Sequence, residues 1–218
     1  MQRILEPEVM DTVAEAVEYD AMDFTSVNTD FAQLAISLCP ENGTILDLGT
    51  GTARIPILIA QQRQRLNIIG IDLSENMLKI GSENVSRAGL NAKIKLEKVD
   101  AKNLDYSDRQ FDGIISNSII HHLPDPLPCL KEIKRVLKPN SSILLRDLLR
   151  PENTETRDNL VEEYAADCNP HQRQLFRDSL QAAFTLKEVE QMIQTAGLEG
   201  VKVYQSSDRH WTAERASH

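Results

Sequence analysis

Between residues 44 and 148, short apolar runs alternate with stretches of helical spacing, and few architectures accommodate that alternation. Residues 44–48 read as a buried strand. A glycine-bearing turn follows, and Ile55, Leu58 and Ile59 begin a helix that tolerates Pro56 in its first turn. Residues 67–72 form the next predicted strand, after which Ser74 caps a helix carrying Met77, Leu78, Val85 and Ala88 that Gly89 ends. Further strands are predicted near 94–99, over 111–117 and over 142–148. Asp125 and Pro126 make an N-cap and first-turn pair for a helix bearing Leu127, Leu130, Ile133 and Leu137, which Lys138-Pro139-Asn140 stops. Such a chain is expected to fold as an α/β, doubly wound, Rossmann-like sheet covered on both faces. Its ligand belongs at the carboxyl ends of the strands, near the topological switch point.

Two flanking regions are helical in pattern. Residues 1–40 carry Met10, Val13, Ala14 and Val17, then Val27, Phe31, Leu34 and Leu38, at helical spacing. Residues 150–184 form a helical insert. Thr185 to Glu188 is a capping box opening a helix through Val189, Met192, Ile193 and Ala196 that Gly197 ends. Residues 201–204 then read as a late strand, with Trp211 on a short last one. The expectation is one domain over 1–218: a helical cap (1–40), a core (44–148), the insert (150–184) and a closing helix with strands (185–218).

Composition narrows the function classes. A net charge of -9 opposes a phosphate backbone and makes DNA an unexpected partner. No apolar run approaches the ~20 residues needed to cross a bilayer. Glu6, Glu8 and Asp11 contradict both a signal peptide and a transit peptide, so the expected compartment is the cytoplasm. Cys39, Cys129 and Cys168 are scattered and odd in number, which suggests neither a disulfide framework nor a zinc site.

The first βα turn, Asp47-Leu-Gly49-Thr50-Gly51-Thr52, has two glycines that permit a tight turn and a close approach of backbone to ligand. A dinucleotide fingerprint would place a third small residue where Arg54 stands, which disfavours a nicotinamide or flavin cofactor. Asp72, at the end of strand two, suits two ribose hydroxyls. Asp100, at the end of strand three, could accept a bond from an adenine amino group.

Together with the segment from Phe111 to Pro126 and the Leu137-Lys-Pro-Asn140 turn, these motifs resemble the class I S-adenosylmethionine-dependent methyltransferases over roughly residues 44–148. The resemblance implies a seven-stranded, mostly parallel sheet with an antiparallel last strand, S-adenosylmethionine as cofactor and S-adenosylhomocysteine as product. By position it implies that Asp47, Gly49, Thr50, Gly51 and Thr52 line the methionine part and that Asp72, with Leu73 and Met77 beside it, holds the ribose. Asp100 with Ala101 would edge the adenine, and Asn117 would face the transferred methyl. Thr52 departs from a third glycine found in many members and offers a hydroxyl to the ligand instead. Tyr19 and Phe24 are candidate lid aromatics, with plain core packing as the bland reading. If Asp72 binds the ribose, Asp72→Ala is expected to leave folding nearly intact while weakening the cofactor.

Several residues could shape the acceptor side. His121 or His122 could take a proton from a nucleophile, or pack structurally. Strand alternation would aim the two rings apart, so no metal is expected. Arg146 and Arg150 could clamp an acidic substrate group, although internal salt bridging is the commoner use of such arginines. Asn117-Ser-Ile-Ile differs from the Asn-Pro-Pro-Tyr of enzymes that methylate exocyclic amino groups of DNA bases. Tyr164 and Phe176 are candidate wall residues of the insert, which serves as a substrate cover or as a homodimer contact. The leading expectation is methyl transfer to an oxygen, nitrogen or carbon of a small molecule. Methylation of protein or RNA, an inert cofactor-binding module, and a dehydrogenase are the alternatives.

Overall fold

The computed structural model describes residues 1–6 and 12–217. Met10, and with it Glu8 and Asp11, lies outside the described residues. The centre is one seven-stranded sheet of β1 (Gly43–Leu48), β2 (Leu66–Asp72), β3 (Ile94–Lys98), β4 (Phe111–Asn117), β5 (Leu137–Leu148), β6 (Lys202–Gln205) and β7 (His210–Arg215). Its order is β3-β2-β1-β4-β5-β7-β6. The first five strands run parallel, and β7 pairs antiparallel with both β5 and β6. The sheet and its antiparallel last strand therefore stand as expected. Chain direction reverses sides between β1 and β4, which sets the switch point there.

Alternate residues of the central strands go to opposite faces, and both faces are covered, which is why these strands read as near-continuous apolar runs. Ile45, Ile68, Ile115 and Leu144 meet Phe31, Ala32 and Ala35 of α2 (Thr25–Leu38) and Ile55 and Ile59 of α3 (Arg54–Gln62). Leu46, Ile71, Ile114, Ile143 and Leu145 pack on the other face with Leu130 and Ile133 of α5 (Leu127–Val136) and Val189 and Ile193 of α8 (Leu186–Ala196). Helix α4 (Glu75–Arg87) starts at Ser74, whose hydroxyl accepts the Met77 N–H, and α1 (Val13–Ala21) lies against it. Thus α2 is a layer of the sheet, and only α1 has the place of a cap.

The insert forms α6 (Thr154–Tyr164) and α7 (Pro170–Ala182), opened by the side chains of Asn153 and Asn169. Leu160, Val161 and Leu180 gather around Leu148, and Phe176 packs against them in a small core of their own. The capping box at Thr185 and the close at Gly197 stand as read.

Both ends of α5 and the start of β5 differ. Leu137 was expected to end α5, but the helix stops at Val136 and Leu137 pairs with Phe111 as the first residue of β5. A register shift between Phe111 and Gly113, with Asn140 at φ +60°, lets Pro139 sit within the strand's early part. Pro126, rather than Asp125, is the N-cap, while the Asp125 carboxylate accepts the Leu127 N–H. Among the described residues no helix is long and apolar enough to cross a membrane.

Candidate active site

The carboxyl ends of β1, β2, β3 and β4 surround one pocket. Tyr19, Gly49, Gly51, Asp72, Leu73, Met77, Asp100, Ala101, Asn117 and His122 are among its lining residues. A second cleft of about 490 Å³ continues from it past Phe24, Asp47, Thr50 and Thr52, and Tyr19, Gly49, Gly51 and Asn117 border both. Twelve residues expected around a cofactor, from Tyr19 to Asn117, thus lie around these two joined spaces.

The turn after β1 explains the shape. The N–H groups of Gly49 and Thr50 both donate to the Ile71 carbonyl at 2.9 Å, folding the turn onto the end of β2. Gly49 sits at φ +70°, and a Cβ there would lie 1.8 Å from Ile119 Cγ2. Gly51, at φ +53°, faces open space, since a Cβ would approach only Tyr19, at 3.8 Å. The two glycines therefore do different work: Gly49 lets β4's following loop pack, and Gly51 leaves room for a ligand.

Asp72 accepts the Gly51 N–H on one oxygen and the Ser74 N–H on the other, each at 2.9 Å. Burial raises its pKa in spite of these bonds. Asp47 is only 2% exposed, and burial, with the nearby Asp72 charge adding to it, pushes its carboxyl up to about 7. The Tyr19 hydroxyl is likewise pushed up to about 12, chiefly by burial and then by Asp72 and Asp47. Asp100 accepts the Lys102 N–H at 2.9 Å and lies 3.1 Å from its ammonium.

Two side chains of the turn, and Arg54 just after it, make contacts that the sequence did not foresee. The Thr50 side chain points at Gly70 of β2. The Thr52 hydroxyl, beside the cleft, helps to hold the Asp20 carboxylate below its usual range, against the effect of burial. Arg54, which argued against a dinucleotide, forks onto the same Asp20 at 3.0 and 2.8 Å. Asn84 of α4 joins them by donating to Asp20 and to the Thr52 carbonyl. Asp20 and Asn84 were not singled out in the sequence because each becomes meaningful only through partners far along the chain. Next to this knot Tyr19 reaches the pocket, with its ring centroid 5.3 Å from that of Phe24.

The histidine pair is corrected in two respects. Residues Ile120–His122 form a single 3-10 turn instead of continuing β4, so the rings do not part but lie 4.1 Å apart, tilted by 34°. His121 is buried outside the lining, with Nδ1 2.5 Å from Asp147 and Nε2 3.2 Å from Glu6. Burial alone would lower its pKa, but these two carboxylates hold it at about 9. His121, buried behind the lining, does not reach the pocket from which a base would act, whereas His122 borders it.

The expected arginine clamp is not assembled. Arg150 donates from Nη2 to both carboxylate oxygens of Glu188, at 2.8 and 2.9 Å, which ties the insert to the start of α8. Arg146 donates to Thr212 at 3.2 Å and lies over the Phe31 ring. Tyr164 is 40% exposed, bonds Asp208 at 2.6 Å and stacks under Arg209, so it is no pocket wall. Neither arginine nor Tyr164 lines the two spaces.

Comparison with known proteins agrees with this geometry. A family model described as a methyltransferase domain matches residues 40–214. A demethylmenaquinone methyltransferase of Bacteroides fragilis is 34% identical over 108 residues, covering 50% of this chain and 44% of the relative. The chain thus spans less than half the length of that relative. Among solved structures, a protein of Methanococcus maripaludis described as a candidate S-adenosylmethionine-dependent methyltransferase superposes with a TM-score of 0.75, at 22% identity, covering 100% of this chain and 97% of the other. Phosphoethanolamine N-methyltransferase 2 of Haemonchus contortus, solved with S-adenosylmethionine, gives 0.73 at 16% identity, covering 94% of this chain and 57% of the other. At such identities the likeness is one of fold.

Proposed function

Because this chain belongs to the methyltransferase-domain family, we propose that it moves a methyl group from S-adenosylmethionine to a small-molecule acceptor. The observation that carries the proposal is the joined pocket at the β1–β4 switch point, rimmed by Asp47, Asp72 and Asp100. Its chemistry fits the cofactor. Among the described residues no lysine or arginine lines the first space, and Arg54, the one arginine of the adjoining cleft, is neutralised by Asp20. A pyrophosphate would find Arg54 and, beside Asp100, Lys102 already paired with carboxylates, whereas an ammonium and a sulfonium would find carboxylates. Asp72 is half-buried, accepts backbone N–H groups of Gly51 and Ser74, and has lone pairs left for hydroxyl donors.

When bound, the cofactor supplies an electrophilic methyl on a cationic sulfur. In this reading Asp72 orients the ribose, Asp100 and Ala101 border the adenine, and Asp47 balances the amino group. Tyr19 and Phe24 exclude water from above, and Asn117, which borders both spaces, stands between cofactor and acceptor. Rate comes mainly from holding the two reactants in line in a dry site. We take residues 1–218 as one domain, with 44–148 as the cofactor-binding core and the insert as an attachment to β5.

Calorimetric titration with S-adenosylmethionine and S-adenosylhomocysteine, with a nicotinamide dinucleotide as control, tests the cofactor. Transfer of label from S-adenosylmethionine to a panel of acceptors then tests the reaction, beginning with quinone-type acceptors because of the name of the Bacteroides relative. No affinity for either cofactor form in a folded protein would overturn the proposal.

A further inference from the structure

At the end of β4, one carboxylate and two imidazoles converge, and we propose that Glu6, His121 and His122 bind a divalent first-row transition metal ion, with Zn²⁺ the best match to the donors. One donor atom from each residue lies within 4.8 Å of the other two. Glu6 Oε1 is 3.2 Å from His121 Nε2 and 3.3 Å from His122 Nδ1. Donors held about 2.1 Å from a tetrahedral ion stand roughly 3.4 Å apart, so these separations are those of ligands around a shared centre.

The surroundings are built to present those donors. Asp147 sits 2.5 Å from Nδ1 of His121 and so directs the other ring nitrogen toward Glu6, the carboxylate–histidine arrangement that orients metal-binding imidazoles. Asp147 is itself fixed by the backbone N–H groups of His121 and Leu148. On the Glu6 side, Ser179 of α7 donates to Oε2 at 3.0 Å, which leaves Oε1 for the histidines. The Glu6 side chain is 92% buried, being 8% exposed, yet Oε1 makes no hydrogen bond of acceptable geometry. A buried carboxylate oxygen without such a bond, aimed at two imidazole nitrogens, is the donor a cation would complete.

The segment bearing Glu6 is anchored as well. Arg3 donates to the carbonyls of His121 and Leu123 at 3.0 and 2.9 Å and lies over the Phe184 ring. Three protein donors leave one tetrahedral position for water or an acceptor oxygen, and His122 also borders the pocket. The ion site stands on this geometry alone and does not depend on methyl transfer.

The test uses the full chain, stripped with a chelator and dialysed against Zn²⁺ at mildly alkaline pH, with metal content measured per chain and the fold followed by circular dichroism. One Zn²⁺ per chain is expected. Glu6→Gln and His122→Ala should each weaken binding by about tenfold or more, while His171→Ala, an exposed histidine on α7, should leave it unchanged. Co²⁺ should give visible bands in the parent that Glu6→Gln abolishes; this nearly isosteric variant decides the matter if His122→Ala fails to fold. Absence of a stoichiometric ion, or binding that Glu6→Gln leaves untouched, would overturn the site and leave a proton shared between the carboxylates and His121 as what joins them.

Discussion

The Asp20 carboxylate receives both Nε and Nη2 of Arg54, so the last turn of α1 is fastened to the first residue of α3. Tyr19, one residue earlier, is thereby held at the border of both spaces. The residue that spoils a dinucleotide fingerprint is the one that positions the lid.

Breaking this fork should act on the ligand more than on the fold. The pair is half-exposed on the Arg54 side, so Arg54→Ala should cost no more than about 1 kcal/mol of unfolding free energy. Affinity for S-adenosylhomocysteine should fall several-fold as Tyr19 loses its anchor. Equal affinity in the variant, measured by calorimetry, would mean that Tyr19 is held without Arg54, with Asn84 and Thr52 keeping Asp20 in place.

Asp72→Asn should weaken S-adenosylhomocysteine by about 2 kcal/mol, roughly thirtyfold, through loss of charge-assisted hydrogen bonds. The structure changes what Asp72→Ala reports. That substitution removes the acceptor for both the Gly51 and Ser74 N–H groups, so a stability loss of about 1–3 kcal/mol should accompany it, contrary to the sequence-based expectation of nearly intact folding. Denaturant midpoints of the two variants distinguish the effects.

Asp47 makes both binding and stability depend on pH. Its folded-state pKa, raised to about 7, exceeds the unfolded carboxylate value. The neutral form therefore favours the fold most fully below about pH 4, and this contribution declines as pH rises through 7. Asp47→Asn should remove that decline and raise stability at pH 8 by on the order of a few kcal/mol. Affinity for the cationic cofactor should increase across the same range in the parent alone, and a pH-independent affinity between 6 and 8 would contradict the placement of Asp47.

Gly49→Ala should destabilise by about 2–4 kcal/mol, combining left-handed strain with the clash against Ile119 Cγ2. In the double variant with Ile119→Ala, the steric part should return while the strain remains. Additive losses in urea unfolding would show that the clash is relieved by other movements.

The layered sheet was legible in residues 44–148 because strand and helix periods, the Ser74 cap and the Thr185 capping box are written in neighbours a few residues apart. The acidic strand ends were legible for the same reason, since a position in a βα unit fixes where its side chain emerges. Arg146, Arg150 and Tyr164 were placed correctly along the chain but not toward the pocket: their partners Thr212, Glu188 and Asp208 arrive from later segments.

By itself the sequence determined the alternation, the turn after β1 and the carboxylates around it, because local hydrogen bonding and burial periodicity select these. The tertiary structure decided that His121 and His122 turn together, that both meet Glu6 from near the start of the chain, and that His121 meets Asp147 from β5. A side chain's charge partner depends on which distant segments share its desolvated surroundings, and no short-range pattern encodes that.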